Sequence, residues 1–204
     1  MSDSVTVEPY DDIVTPPYSD GAIVRRDFPG FTEDYMVVHS LIRRYNPSRL
    51  MEIGTSSGAG TNVICSAMGL RRLFRSSEKR VFSIDVPPGT DPSVLYPDKE
   101  DGHPRKAGAK CKYRYTQIFG DSYDFDFSPY YPLDAWFIDG KHDYRYVEND
   151  TSMALKSKPS LIIWHDVQIP AVEEAICDVM AKHKEYTLRR AGTTRVGYAV
   201  KSAI

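Results

Sequence analysis

Two stretches of this sequence hold residues whose types and spacing could do chemistry. The first is Glu52-Ile53-Gly54-Thr55-Ser56-Ser57-Gly58-Ala59-Gly60. Glycines that follow a strand let the backbone turn tightly and approach a ligand. The start of a following helix adds free N–H groups. The second is Trp136-Phe137-Ile138-Asp139-Gly140-Lys141-His142-Asp143-Tyr144, paired with Ile162-Ile163-Trp164-His165-Asp166-Val167. Asp139 and Asp166 each end an apolar run, so their carboxylates can converge if those runs are adjacent strands. Oxygen ligands suit Mg²⁺, which often takes a few carboxylates and keeps water or substrate oxygens. A metal on a hydroxyl lowers its pKa, and a histidine such as His142 can take the proton. The plainer alternative is that Asp139 and Asp166 bind substrate or cap helices without metal, and that His142 is structural.

The elements that must position these residues alternate in type. Apolar spacing predicts a helix over Thr32 to Tyr45, ended by Asn46-Pro47. Arg49 to Ile53 reads as a strand, Thr61 to Phe74 as a helix, and Arg80 to Ile84 as a strand ending at Asp85. Tyr113 to Phe119 is a further strand, followed by Gly120-Asp121-Ser122. Ala135 to Ile138 and Ser160 to Trp164 are two more, with a helix over Tyr144 to Leu155 between them. Pro170 to His183 is a helix that tolerates proline in its first turn. Tyr186 to Arg190 and Arg195 to Val200 close the chain as a β pair. Strands alternating with helices imply a parallel α/β sheet, and the final pair an antiparallel hairpin at its edge. Residues 1–30, rich in proline and acids, read as an irregular N-terminal arm. Pro87 to Lys112 carries five prolines and reads as a mobile loop at the substrate entrance. Trp136 and Trp164 are expected in the core, and His39, His103 and His183 at the surface.

Glycine spacing separates the cofactor classes. A dinucleotide fold wants G-x-G-x-x-G/A, whereas this chain has E-x-G-x-x-x-G-x-G. That pattern resembles the first motif of class I S-adenosylmethionine-dependent methyltransferases. The resemblance implies a Rossmann-like, doubly wound, seven-stranded sheet over residues 31–204, mostly parallel, with a C-terminal antiparallel hairpin. It implies S-adenosylmethionine bound by Glu52, Gly54, Thr55, Ser56, Gly58, Asp85, Asp121 and Ser122. Asp85 would accept hydrogen bonds from the ribose hydroxyls, and the Asp121-Ser122 loop would reach the adenine amine. The F-I-D-G-x-H-x-Y … H-D-like second stretch resembles small-molecule O-methyltransferases of the macrocin and cephalosporin-biosynthesis groups. It implies a small-molecule hydroxyl as acceptor, His142 and Asp139 as catalytic residues, and Asp139, His165 and Asp166 as ligands of Mg²⁺ or another divalent metal. A histidine is a less typical Mg²⁺ ligand, so His165 can instead support the loop.

Composition narrows the alternatives. The chain has 204 residues, enough for one domain, and a net charge of −2, which argues against a nucleic-acid-coating protein. Its three cysteines form no CxxC pair and suggest neither a zinc ribbon nor a disulfide framework. No apolar run reaches the ~20 residues of a membrane span, and the first residues lack a signal-peptide core. A cytoplasmic enzyme, able to form a homo-oligomer through its arm, is the expectation. Competing readings are a catalytically inactive S-adenosylmethionine-binding protein and a methyltransferase acting on a macromolecule. A nicotinamide-dependent oxidoreductase ranks behind both because of the glycine spacing. The base-amine methyltransferase loop [D/N]-P-P-[aromatic] is absent after the strand ending at Asp139.

Overall fold

Eight strands make one sheet in the computed structural model, which describes residues 5–14, 32–70, 78–87, 89–90 and 111–202. In chain order the elements are β1 (Thr6–Glu8), α1 (Tyr10–Ile13), α2 (Thr32–Tyr45), β2 (Arg49–Ile53), α3 (Ala59–Ala67), β3 (Arg80–Asp85) and β4 (Thr116–Phe119). After a single 3₁₀ turn at Ser128–Tyr130 come β5 (Ala135–Ile138), α4 (Tyr144–Lys156), β6 (Leu161–Trp164), α5 (Pro170–Met180), β7 (Tyr186–Ala191) and β8 (Gly197–Lys201). The spatial order is β1-β7-β8-β6-β5-β2-β3-β4. Only β8 runs against its neighbours, β6 and β7, which makes the mixed Rossmann-like sheet with a terminal hairpin that the alternation implies.

The expected count of seven strands is corrected to eight. The extra strand, β1, comes from the segment read as irregular and pairs in parallel with β7, Thr6 opposite Arg189 and Glu8 opposite Ala191. Thr6-Val7-Glu8 is too short to stand out as a strand by itself. It is held by Glu8, whose carboxylate receives Arg44 Nη1 at 3.0 Å, Arg189 Nη1 at 2.8 Å and the Tyr198 hydroxyl.

The sheet is covered on both faces. Tyr35, Val38, Leu41 and Ile42 of α2 pack with Val63 and Ile64 of α3 and with Leu50, Ala135 and Phe137 of the sheet. Val147 and Ala154 of α4 and Val172, Ile176 and Val179 of α5 pack on the other face with Met51, Trp136, Ile162 and Trp164. This burial is what the β-strand alternation requires: successive side chains point to opposite faces, and here both faces are apolar. Trp136 and Trp164 are fully buried, as expected. Their indole N–H groups reach Ser157 Oγ at 2.9 Å and Thr151 Oγ1 at 3.0 Å, so burial leaves neither donor unpaired. His39 differs from its surface expectation: α2 is covered on nearly all sides, and His39 is buried. His183 lies at the surface beside Glu185 at 3.3 Å, whereas His103 lies outside the described residues. Most of Pro87 to Lys112 also lies outside them. Among the described residues no helix is long and apolar enough to cross a membrane.

Candidate active site at the carboxyl edge of the sheet

The parallel strands β2, β3, β5 and β6 all end on one edge, and the residues singled out by sequence follow those ends. Main-chain bonds lock the ends together: Gly54 N donates to Ile84 O at 2.9 Å, Asp139 N to Ile53 O at 2.9 Å, and His165 N to Ile138 O at 3.1 Å. Gly54 has φ +97°, and a Cβ there would stand 2.1 Å from the Asp139 carbonyl oxygen. The first glycine is therefore required by the close approach of the β2 and β5 loops, which brings the two motifs side by side. Gly58, at φ +84°, turns the chain into α3 without a side-chain cap.

The glycine loop rests on a buried polar chain. Glu52 is fully buried, and its Oε2 accepts hydrogen bonds from Thr61 at 2.6 Å and Ser83 at 2.5 Å. Burial pushes the Glu52 carboxyl up to about 8 despite those two donors. The Ser83 hydroxyl also bonds Thr55 Oγ1 at 2.6 Å, and Gln117 Nε2 donates to Thr55 at 2.9 Å. Glu52 and Thr55 thus face inward and shape the loop. Asp85 stands at its rim: Oδ2 accepts Ser56 N–H at 2.5 Å and Oδ1 accepts Val86 N–H at 2.8 Å. Each oxygen keeps a second lone pair. Ser56 sits at φ +47° to make its contact.

The Asp121-Ser122 loop borders the same edge. Asp121 Oδ1 accepts Tyr123 N–H at 3.0 Å, and Oδ2 accepts the Tyr146 hydroxyl at 3.0 Å. Tyr146 also carries Lys141 Nζ over its ring, 4.5 Å from the centroid. Asn149 Nδ2 ties α4 to the carbonyls of Ser122 and Tyr123 at 3.3 and 3.2 Å.

Asp139, His142 and Asp166 meet above the ends of β5 and β6. One ligand atom from each lies within 4.8 Å of the others. His142 Nε2 is 3.2 Å from Asp166 Oδ2 and 3.8 Å from Asp139 Oδ1. Asp143, directly after His142, caps α4 by accepting Arg145 N–H at 3.1 Å, which fixes where the loop ends. Asp166 is in the left-handed region at φ +55°, a conformation aspartate tolerates better than most residues.

His165 lies beneath this cluster and is nearly buried. Its Nδ1 is 3.3 Å from Asp139 Oδ1 and 3.2 Å from Asp166 Oδ2, and its Nε2 is 3.3 Å from Asp34 Oδ2. Burial disfavours the imidazolium, but the three carboxylates outweigh it and raise the His165 pKa to about 11. Against the same burial penalty, His142 and His165 hold Asp139 below the usual carboxylate range, and His165 with Gln168 holds Asp166 lower still. A charged imidazole has no lone pair for a metal. Among the described residues the group placed to hold an ion is Asp139, His142 and Asp166, and His165 meets both carboxylates from beneath.

Two members of this network carry no motif signal. Asp34 of α2 is buried and receives Arg195 through Nη2 at 2.6 Å, Nε at 2.8 Å and the backbone N–H at 3.0 Å. Arg195, in the turn before β8, also reaches Asp166 Oδ1 at 3.3 Å. The Tyr35 ring stacks over His165, with centroids 6.3 Å apart and planes 13° apart. Hydrogen bonds from His165 and Arg195 lower the Asp34 pKa although burial opposes them. Asp34 and Arg195 stand 161 residues apart, and only the folded sheet joins them.

Comparison with known proteins follows the same elements. Over 93% of its length the chain is similar to 94% of the O-methyltransferase from Bacillus cereus solved in complex with SAH, at 18% identity and TM-score 0.57. Over 94% it is similar to 92% of the O-methyltransferase TomG from Streptomyces achromogenes, solved with SAM and involved in tomaymycin synthesis, at 18% identity and TM-score 0.58. Over 92% it is similar to 89% of the SAH-bound methyltransferase PaMTH1 from Podospora anserina, at 13% identity and TM-score 0.55. These likenesses are of fold. No curated protein matches. A protein-family model described as a methyltransferase domain matches residues 51–167, more than half of the chain, from β2 to just past β6. By that match the chain belongs to the methyltransferase domain family.

Proposed function

We propose that this protein transfers the methyl group of S-adenosylmethionine to a hydroxyl of a small molecule, with a divalent cation assisting. The observation that carries the reading is the convergence of Asp139, His142 and Asp166 next to a glycine loop whose rim bears Asp85. The fold neighbours support it, since TomG and the Bacillus cereus protein are both described as O-methyltransferases. The macrocin and cephalosporin-biosynthesis resemblance in the second motif supports the same acceptor class.

The donor set fits a divalent cation. Asp139 and Asp166 are ionised, close together and 22% and 15% exposed, so they are reachable from solvent. They would hold the ion, which when bound supplies a Lewis acid that lowers the pKa of the acceptor hydroxyl. His165 keeps both carboxylates deprotonated, and Arg195 helps to aim Asp166. His142 Nε2, facing the same space, takes the hydroxyl proton. Gly54, Ser56 and Gly58 form the cofactor loop, with Glu52 and Thr55 supporting it from beneath. Asp85 accepts from the ribose hydroxyls, and Asp121 and Ser122 border the adenine. Residues 31–204 act as one catalytic domain.

Calorimetric titration with S-adenosylhomocysteine tests the cofactor, and turnover of a panel of small hydroxylated acceptors with and without EDTA tests the chemistry. Micromolar binding and metal-restored turnover are expected. Absence of S-adenosylhomocysteine binding would overturn the reading, and full activity in EDTA would remove the cation from it.

A further inference from the structure

Two of the three cysteines, which the proposed chemistry does not use, belong to the same core cluster. Cys65 lies on α3, one turn beyond Asn62 and on the same side of the helix. Asn62 Oδ1 accepts the backbone N–H of Lys112 at 3.1 Å, which pins the chain at Cys111 against that side of α3. Cys111 packs on the core cluster that contains Cys65. The two thiols are near enough to perturb each other's ionisation. Cys65 is fully buried, while Cys111 is partly exposed, with its Sγ 3.8 Å from Tyr113 O. Cys177 is on α5, on the opposite face of the sheet, and cannot reach either.

From this geometry we infer that Cys65 and Cys111 are a reversible dithiol–disulfide site, oxidised by peroxide and reduced by small thiols. The two roles are unequal. Cys111 is partly exposed, whereas Cys65 is fully buried behind it in the core. A peroxide arriving from solvent meets Cys111 first, and Cys111 reacts as its thiolate. It attacks a peroxide oxygen, the O–O bond breaks, hydroxide leaves, and Cys111 becomes a sulfenic acid. The Cys65 sulfur then attacks the Cys111 sulfur. The S–O bond breaks, the S–S bond forms, and the Cys65 proton leaves with the oxygen as water. In total, two thiols and one hydrogen peroxide give one disulfide and two waters. A dithiol reductant reverses the bond by exchange. The cross-link would staple the chain entering β4 to the helix that starts at the glycine loop, and would constrain the unfolded chain.

The test treats the full-length protein with a few equivalents of hydrogen peroxide, then alkylates remaining thiols under denaturing conditions and maps peptides by mass spectrometry. The expected result is a Cys65–Cys111 disulfide, Cys177 alkylated, and a thermal midpoint that rises on oxidation and returns with dithiothreitol. In Cys65→Ser, Cys111 should instead be trapped as a sulfenic acid by dimedone, whereas Cys177→Ser should behave as the parent. Recovery of Cys65 and Cys111 both alkylated after oxidation of the parent overturns the inference, as does a disulfide involving Cys177 or linking two chains. The mapping of the parent protein decides the matter even if Cys65→Ser fails to fold.

Discussion

Replacing Glu52 with glutamine should make the protein more stable at neutral and alkaline pH, and should leave its stability almost unchanged in mild acid. Glu52 is fully buried; both its hydroxyl donors serve Oε2, and Oε1 has no hydrogen-bond partner among the described residues. Burial raises its pKa from 4.5 to about 8. The sign follows from proton counting. Between these two values the unfolded chain has released the proton and the folded chain still holds it, so stability is fully present below 4.5 and falls as pH rises toward 8. Each pH unit in that window costs about 1.4 kcal/mol, which sums to roughly 5 kcal/mol across it. Glutamine is neutral throughout, and its carbonyl can accept from both Thr61 and Ser83. The Glu52→Gln protein should therefore match the parent near pH 5 and exceed it by roughly 3 kcal/mol near pH 7. Urea denaturation of both proteins in parallel from pH 5 to 8.5 measures the difference, and the remaining ionisable groups cancel in it. A difference that stays flat across this range would refute the claim that Glu52 is held protonated in the folded state.

Other substitutions probe the site directly. Asp85→Ala should weaken S-adenosylhomocysteine binding about tenfold to a hundredfold by calorimetry, because charge-assisted hydrogen bonds contribute roughly 1.5–3 kcal/mol; unchanged affinity would dissociate Asp85 from the ribose. His142→Ala should lower kcat by about 10²–10⁴-fold while cofactor affinity stays within a factor of two or so, and full turnover would assign the proton to another group. Gly54→Ala places a Cβ 2.1 Å from the Asp139 carbonyl at a φ of +97°. It should cost at least about 2 kcal/mol in urea denaturation, and a neutral effect would contradict the close approach of the two loops.

The pattern of strands was readable because each one is a short apolar run stopped by a residue that cannot continue it. Met51-Glu52-Ile53 stops at Gly54, Phe137-Ile138 at Asp139-Gly140, and Ile163-Trp164 at His165-Asp166. These stops are also the candidate site residues, so fold and site were legible together. What escaped depends on partners far along the chain. Thr6-Val7-Glu8 is only three residues long, and its partners β7, Arg44, Arg189 and Tyr198 all lie far along the chain. Asp34 reads as an ordinary first-turn acid of α2, and Arg195 as the first residue of the closing strand. Their joint role appears only when α2 lies over the turn before β8. His165 was open between ligand and support in the sequence, since its charge state is set by three carboxylates from different segments.

The position of β1 has a consequence for how the molecule reaches its native state. During synthesis residues 6–8 emerge before the other described strands, yet their pairing partner spans residues 189–191, after all the other parallel strands. The strands β2, β3, β5 and β6 can assemble from polypeptide already made. The outermost strand must wait until β7 and β8 have left the ribosome, and its pairing spans the widest sequence gap between neighbouring strands among the described residues. Until then the free rim of β7, or of whichever strand stands last, exposes unpaired backbone to any other nascent strand nearby.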